Sequence, residues 1–153
     1  MVIPKNKRQS DPKGLIAHFN EKTDFTLKQI EKLGEDTPID TDGLDIEIVS
    51  KNGEAFDLSS SVVEGKITIV DFYADWCVPC KFLEKKLVNY MHEHSGVALR
   101  KVNIVSWESE AAKQHLSGVN GIPYVIIFDA SGKEVFRGAG AIAKIRKLIG
   151  SVD

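Results

Sequence analysis

The chain has 153 residues, of which 42% are hydrophobic and 27% charged, and this is the composition of one ordinary globular domain. Its 20 basic and 22 acidic side chains give a net charge of -2, so the composition offers no support for a nucleic-acid-binding function. Apolar runs such as Tyr124–Phe128 are too short to span a bilayer, and we expect no membrane span.

The N-terminal residues indicate a separate region ahead of the main domain. Residues 1–43 predict a charged arm, a short helix and an acidic linker, whereas residues 44–153 carry the main domain. The helix is predicted over Thr26–Leu33, because Thr26 and Gln29 have the spacing of a capping box. We expect this helix to dock on the main domain, and the alternative is that it binds a partner.

A β-hairpin is predicted at the start of the main domain. Apolar and polar residues alternate in Leu44–Val49, which is the pattern of a half-buried strand. Asn52-Gly53 is the commonest hairpin turn, and Ala55–Leu58 would form the returning strand.

The most informative part of the chain is a strand followed directly by a helix. The apolar, β-branched run Ile67–Phe72 predicts a buried strand. Beyond Cys80 the apolar residues follow helical spacing instead. The helical stripe consists of Leu83, Leu87, Tyr90 and Met91. Cys77 therefore lies where the strand ends and the first turn of the helix begins.

This location predicts a reactive thiol at Cys77. The free N–H groups and the dipole at a helix start favour negative charge, so the pKa of the thiol falls to roughly 3.5–7.5, against ~8.5 for a free cysteine. The resulting thiolate is the species that attacks disulfides. Cys80 lies one turn further on and can reach back to close a disulfide, and Pro79 fits the first turn because it has no N–H. We expect the sulfur of Cys77 to be exposed.

The rest of the chain predicts alternating strands and helices. A strand over Val97–Val105 is followed by a helix with Ser106 as its N-cap, running to about Leu116. The remaining predicted elements are strands Tyr124–Phe128 and Lys133–Arg137 and a helix over Ala141–Ile149. The order β–α–β–α–β–β–α predicts an α/β fold with a central mixed sheet and helices on both faces.

Two segments, Asp71–Lys81 and Gly121-Ile122-Pro123, make the chain similar to the thioredoxin superfamily. The resemblance covers roughly Leu44–Ile149. It implies a thioredoxin fold, here with an N-terminal helical extension and a β-hairpin. It also implies a thiol–disulfide oxidoreductase in which Cys77 is the nucleophile and Cys80 is the resolving thiol.

Two further residues of the predicted active site are Asp71 and Lys101. Asp71 lies in the middle of an apolar strand, and burial there raises the pKa of a carboxyl. The resemblance implies that Asp71 exchanges protons with the resolving thiol, although a hydrogen-bonded structural carboxyl would fit the sequence as well. The resemblance implies that Lys101 faces Asp71, and the alternative is a solvated lysine at a strand end.

The predicted substrate-binding residues surround the two cysteines. The resemblance implies that Pro123 follows a cis peptide bond and lies against the cysteine turn, with the Ile122 backbone free to pair with an extended substrate. A trans proline that opens an edge strand is the alternative. The predicted set comprises Trp76, Val78, Pro79, Ile122, Pro123 and Gly140. Gly121 also matches a glycine near the substrate groove.

The motif departs from the usual thioredoxin pattern in two places. Val78 stands where glycine is usual, and Tyr73 replaces a tryptophan. Residues 73–78 and the following Glu84-Lys85-Lys86 resemble the C-terminal domain of a bacterial transmembrane reductant-conducting protein. This second resemblance favours a reducing role and an extracytoplasmic address.

The compartment stays open. The only two cysteines, Cys77 and Cys80, are both in the motif, so no structural disulfide reports an oxidising compartment. The first ten residues are polar and basic, without the apolar core of a signal peptide. A native cytoplasmic start fits this pattern, and so does an exported protein whose leader has been replaced by Met1.

Two other functions are compatible with the cysteine pair. A disulfide oxidase or isomerase would use the same residues, and only the redox potential separates it from a reductase. A zinc-binding module could use Cys77, Cys80, His92 and His94, but the spacing is wrong for a zinc finger. For the reductase we expect no cofactor and no metal. Its expected partners are a disulfide-containing protein substrate and an upstream thiol electron donor, and we expect a monomer.

Overall fold

The structure is a computed structural model that describes residues 3–4, 39–140 and 142–152. The predicted helix over Thr26–Leu33 lies outside the described residues. The described strands are β1 (Ile3–Pro4), β2 (Asp45–Ser50), β3 (Ile67–Tyr73), β4 (Val97–Asn103), β5 (Gly121–Ile122), β6 (Tyr124–Phe128) and β7 (Glu134–Ala139). The described helices are α1 (Val78–Glu93), α2 (Glu110–His115) and α3 (Ile142–Val152), with a 3-10 turn at Ser59–Ser61.

Five strands form the central sheet, in the order β2-β4-β3-β6-β7. Strands β2, β4 and β3 run parallel, whereas β6 and β7 pair antiparallel with their neighbours. The sheet is therefore mixed, as the order of elements predicts. Strands β1 and β5 form a separate antiparallel pair. Within the described ranges, no helix is both long and apolar enough to cross a bilayer.

Helices cover both faces of the sheet because successive side chains of β3 point to opposite sides. Ile69 and its neighbours on one face pack against α1 and α3, through the predicted stripe of Leu83, Leu87, Tyr90 and Met91. Val70 and Phe72 on the other face pack against α2. Asp71 shares the side of Ile69, which is the side of α1, and this alternation places a carboxyl beneath the helix that carries the cysteines.

The predicted β-hairpin is wrong, because no strand forms over Ala55–Leu58. This segment docks on α2 instead. The Phe56 ring packs 6.2 Å from the Phe72 ring, and the Phe56 N–H donates to the Gln114 side chain at 3.0 Å. The Gly53 carbonyl accepts from the Ala111 N–H at 2.9 Å. Burial of an aromatic ring against the core has outweighed the local turn signal.

The helix after β4 starts later than Ser106, which is another correction. The N-cap of α2 is Ser109, whose side chain accepts the Ala112 N–H at 3.2 Å. The Ser106 side chain accepts the Glu108 N–H at 3.3 Å and so holds a turn that precedes the helix. Both serines are followed by acidic residues, so the sequence pattern alone does not separate them.

Candidate active site around the Cys77–Cys80 disulfide

The two cysteines are joined by a disulfide at the N-terminus of α1. Cys77 is the N-cap residue, and its sulfur accepts the backbone N–H of Cys80 at 3.2 Å. Pro79 lies in the first turn, as predicted. Because the helix start donates a hydrogen bond to this sulfur, the same geometry would stabilise a Cys77 thiolate after reduction.

The expectation that the Cys77 sulfur is exposed is wrong for this disulfide form. Cys77 is fully buried and Cys80 is 2% exposed. The Cys77 sulfur lies 3.9 Å from the Ile122 carbonyl oxygen, and both cysteines belong to the apolar cluster that contains Ala74 and Trp107. A substrate can therefore reach the sulfur only after the segments around it move.

Pro123 lies beside the cysteine pair and follows a cis peptide bond, as expected. The Pro123 carbonyl accepts the Gly140 N–H at 3.0 Å. A Cβ atom on Gly140 would lie 2.5 Å from the Leu83 side chain and 3.3 Å from Pro123, so a larger residue between α1 and the proline would require Leu83 to shift. This close approach explains the glycine without any need for an unusual backbone conformation.

Three further predicted substrate-binding residues adjoin the disulfide along the chain. Trp76 is half-buried, and its indole N–H donates to the Val105 carbonyl at 2.8 Å. Val78 is half-buried at the first position of α1, whereas Pro79 is buried. Of the three, Trp76 and Val78 therefore present part of their surface to solvent beside Cys77.

The backbone edge at Ile122 already has a partner. Ile3 pairs antiparallel with Ile122, and Pro4 pairs with Gly121. No pattern in the sequence predicts this pairing, because an Ile-Pro dipeptide among polar and basic residues has no strand periodicity.

Asp71 is fully buried, and within the described residues neither of its carboxylate oxygens has a hydrogen-bond partner. Burial is the main cause that raises its pKa from 3.8 to about 7. The negative charge of Glu84 raises the pKa further, and the positive charge of Lys101 acts in the opposite direction. The predicted rise in the pKa of this carboxyl is confirmed.

Lys101 is the register partner of Asp71 on β4, but its ammonium group forms an ion pair with Glu84. The same group lies 4.8 Å from the centre of the Tyr73 ring, and the lysine side chain is only 16% exposed. Lys101 is thus not the solvated lysine of the alternative interpretation. It acts on Asp71 through its charge, in partnership with Glu84.

Glu84 is the residue that sequence reasoning missed. A usable signal existed, because Glu84 lies four residues after Cys80 and so shares one face of α1 with it. A cavity of about 370 Å³ is lined by Asp71, Cys80, Glu84 and Lys101, among others. Cys80 and the buried Asp71 therefore line the same cavity.

The zinc-binding alternative does not fit this geometry. His92 and Cys77 lie near opposite ends of α1, about 22 Å apart at 1.5 Å per residue. The His92 ring bonds to the Asp40 carbonyl at 2.7 Å, and the His94 ring stacks on Tyr90. Four ligands of one tetrahedral ion cannot span such a distance.

Three features together define a thioredoxin-type redox domain. They are a mixed sheet with helices on both faces, a CxxC disulfide at a helix start and a neighbouring cis-proline. The thioredoxin family model matches residues 47–151, and the chain belongs to this family.

Individual relatives agree with that assignment. Thioredoxin-T of Drosophila melanogaster is 35% identical over 101 residues, which cover 65% of this chain and 62% of the relative. The thiol:disulfide interchange protein DsbD of Tatumella citrea is 41% identical over 80 residues, covering 49% of this chain and 14% of DsbD. The chain thus spans less than two thirds of the length of these curated relatives.

A solved structure supports the fold. The structure of Trichomonas vaginalis thioredoxin aligns with a TM-score of 0.54 and 26% identity. The alignment covers 69% of this chain and 97% of that protein.

Proposed function

We propose that the protein is a thiol–disulfide oxidoreductase that reduces disulfides in protein substrates. The observation that carries the proposal is the Cys77–Cys80 disulfide at the N-terminus of α1, with Cys80 and the buried Asp71 on one cavity. The relatives named as thioredoxins and as a thiol:disulfide interchange protein support the same class of reaction.

The reaction begins from the reduced form. The Cys77 thiolate attacks one sulfur of the substrate disulfide, the substrate S–S bond breaks, the other substrate sulfur leaves as a thiolate, and a mixed disulfide forms. Asp71 then takes the proton of the Cys80 thiol as a general base. The Cys80 thiolate attacks the Cys77 sulfur and releases the second substrate thiol. Two electrons have passed to the substrate, and the protein is left as the disulfide seen here.

The charges around Asp71 suit this proton transfer. A general base works best when its pKa is close to the working pH, and the pKa of Asp71 is raised to about 7. Lys101 and Glu84 are positioning residues, since their opposite charges act on that pKa from within the same cavity.

Substrate binding uses the residues that surround the disulfide. The Ile122 backbone would pair with an extended segment of the substrate, beside the sulfur of Cys77. Pro123 and Gly140 line one side of this site. Trp76, Val78 and Pro79, which adjoin the cysteines along the chain, line the other. The partners are a protein disulfide and a dithiol donor that restores the reduced form, and the protein acts as a monomer.

Reduction of insulin with a chemical dithiol as donor tests the proposal. Cys77→Ser should abolish the activity, because only Cys77 lies at the N-cap of α1, where the helix start stabilises a thiolate. Cys80→Ser should leave the first attack intact and accumulate mixed disulfides with the substrate. Rapid insulin reduction by Cys77→Ser would contradict the assigned roles, and Ser61→Ala, a change at a serine distant in sequence from the motif, serves as the control.

The direction of electron flow needs a separate measurement. Oxidases of this fold use the same residues at potentials near -120 mV, whereas thioredoxin lies near -270 mV, a difference of about 7 kcal/mol. Equilibration of the Cys77–Cys80 couple with glutathione gives the potential directly. A value near the thioredoxin end supports a reductase, and a value near the oxidising end would make the protein an oxidase.

A further inference from the structure

The loop that follows β4 contains a strained turn at Val105. Its φ is +64°, and the Ser106 N–H donates to the Ile104 carbonyl at 2.6 Å, so Val105 is the central residue of a γ-turn. A positive φ is an outlier for a β-branched residue, because the side chain crowds its own backbone. Val105 is the only non-glycine residue with a positive φ in the described part of the chain.

Two hydrogen bonds hold this turn in place. The Val105 N–H donates to the Asn103 side chain at 3.0 Å, and the Val105 carbonyl accepts the Trp76 indole N–H at 2.8 Å. Trp76 directly precedes Cys77. The strained turn is therefore fastened to the segment that carries the nucleophile, and strain that the surroundings maintain in this way is typical of functional sites.

The side chain of Val105 faces solvent. Among the described residues only two large apolar side chains are exposed, Val105 at 45% and Ile48 at 50%. Ile48 lies on β2, the edge strand of the central sheet, away from the cysteines. The exposed side chain of Val105, by contrast, belongs to a residue whose backbone carbonyl is hydrogen-bonded to the half-buried Trp76 beside Cys77.

We propose that Val105 is a specificity-determining residue, which presents an apolar contact beside Trp76 for the side chain that flanks the substrate cysteine. The proposal rests on the proposed function, since it concerns the substrate of the same cysteine pair. An apolar flanking residue removes the isopropyl group from water on binding, whereas an acidic one would lose part of its hydration there. The contact changes substrate binding, and the chemical step at Cys77 is unaltered.

This proposal is tested with two disulfide-linked peptides that differ only in the residue next to the cysteine. That residue is leucine in one peptide and aspartate in the other. The native protein should reduce the leucine peptide with the lower KM. Val105→Ala should raise the KM for that peptide about 3- to 10-fold and leave kcat unchanged, since two methyl groups are lost from a partly exposed contact. Val105→Lys should lower the KM for the aspartate peptide.

Control measurements separate this role from a structural one. Ile48→Ala removes a similar apolar side chain on the edge strand β2, which does not contact the turn at Val105, and should leave both KM values unchanged. Val105→Gly relieves the positive φ and should raise the melting temperature, yet it should raise the KM for the leucine peptide as Val105→Ala does. Unchanged KM values in Val105→Ala and Val105→Gly would overturn the proposal, and so would no preference between the peptides.

Reduction of a small aromatic disulfide without flanking residues distinguishes failure of this inference from failure of the proposed function. The rate with this probe should vanish in Cys77→Ser and stay native in every Val105 variant. An equal fall with the probe in all Val105 variants would mean that the turn acts on the sulfur through Trp76, which also overturns the side-chain contact. Native activity of Cys77→Ser with the probe would overturn the proposed function itself.

Discussion

Ile3 and Ile122 are antiparallel partners, so the backbone edge assigned to the substrate is occupied by the chain's own β1. The Ile122 carbonyl lies 3.9 Å from the Cys77 sulfur, and Cys77 is fully buried. Pairing with β1 and pairing with a substrate strand at the same backbone groups exclude each other. Binding of a substrate in this way therefore requires that β1 leaves.

Deletion of residues 1–4 should consequently lower the KM for a protein disulfide by about 3-fold or more, because the substrate no longer competes with a tethered strand. The rate with a small disulfide probe should rise too if β1 also limits access to Cys77. Ile3→Ala is the matched control, since it keeps the backbone groups that pair with Ile122. A deletion variant with native KM would show that the substrate does not use this edge.

The buried Asp71 makes stability depend on pH in a defined direction. Its pKa is about 7 in the folded protein and 3.8 ordinarily, so the folded state holds the proton more tightly. The stabilisation of the folded state by the protonated Asp71 carboxyl is complete below about pH 4 and is lost as the pH rises through 7. At ~1.36 kcal/mol per pH unit the loss approaches about 4 kcal/mol by pH 8.

Asp71→Asn should therefore be more stable than the native protein at pH 8, by about 2–4 kcal/mol, and nearly equal to it at pH 4. Urea unfolding of the disulfide form at both pH values measures the difference, since the cysteines of that form do not titrate. Asp75→Asn, a change at an exposed carboxyl of the same segment, is the control. If Asp71→Asn and the native protein differed in free energy of unfolding by the same amount at both pH values, a raised pKa of Asp71 would be contradicted.

Glu84 and Lys101 should shift the pKa of Asp71 in opposite directions. Loss of the negative charge in Glu84→Gln removes a cause that raises this pKa, and loss of the positive charge in Lys101→Met removes the cause that lowers it. The pH midpoint of the Cys80 resolution rate should fall in the first variant and rise in the second. It is measured as release of the second thiol from a preformed mixed disulfide.

Glu93→Gln controls for the charge of α1, because Glu93 is exposed at the far end of that helix. Glu93→Gln should leave the pH midpoint of the Cys80 resolution rate at its native value. Shifts of the same sign in Glu84→Gln and Lys101→Met would show that the two residues act by packing and not by charge.

Local patterns predicted the parts of the fold that depend on local sequence. The stripe from Leu83 to Met91 is buried as its spacing requires, and Cys77 caps α1 where the strand pattern ends. The close relation of Pro123 to the cysteines needed the family resemblance, because 42 residues separate Cys80 from it. No periodicity encodes a contact over that distance.

The errors share a physical origin in contacts between distant segments. Asn52-Gly53 is a sound hairpin signal, but Phe56 packs on Phe72 and does not pair with β2. The partnership of Ile3 with Ile122 and the positive φ of Val105 depend on groups brought together only by the complete fold. Residue types alone do not predict such features.

The tight approach at Gly140 gives a prediction about stability. In Gly140→Ala the new Cβ would lie 2.5 Å from the Leu83 side chain, so Leu83 or the neighbouring backbone must shift. Overpacking of this kind costs about 1–3 kcal/mol, which urea unfolding detects. Leu83→Ala removes the clashing group, so the double variant should be destabilised by less than the sum of the two single changes. Strict additivity would mean that the two side chains do not meet, and the position of Gly140 between α1 and Pro123 would then be wrong.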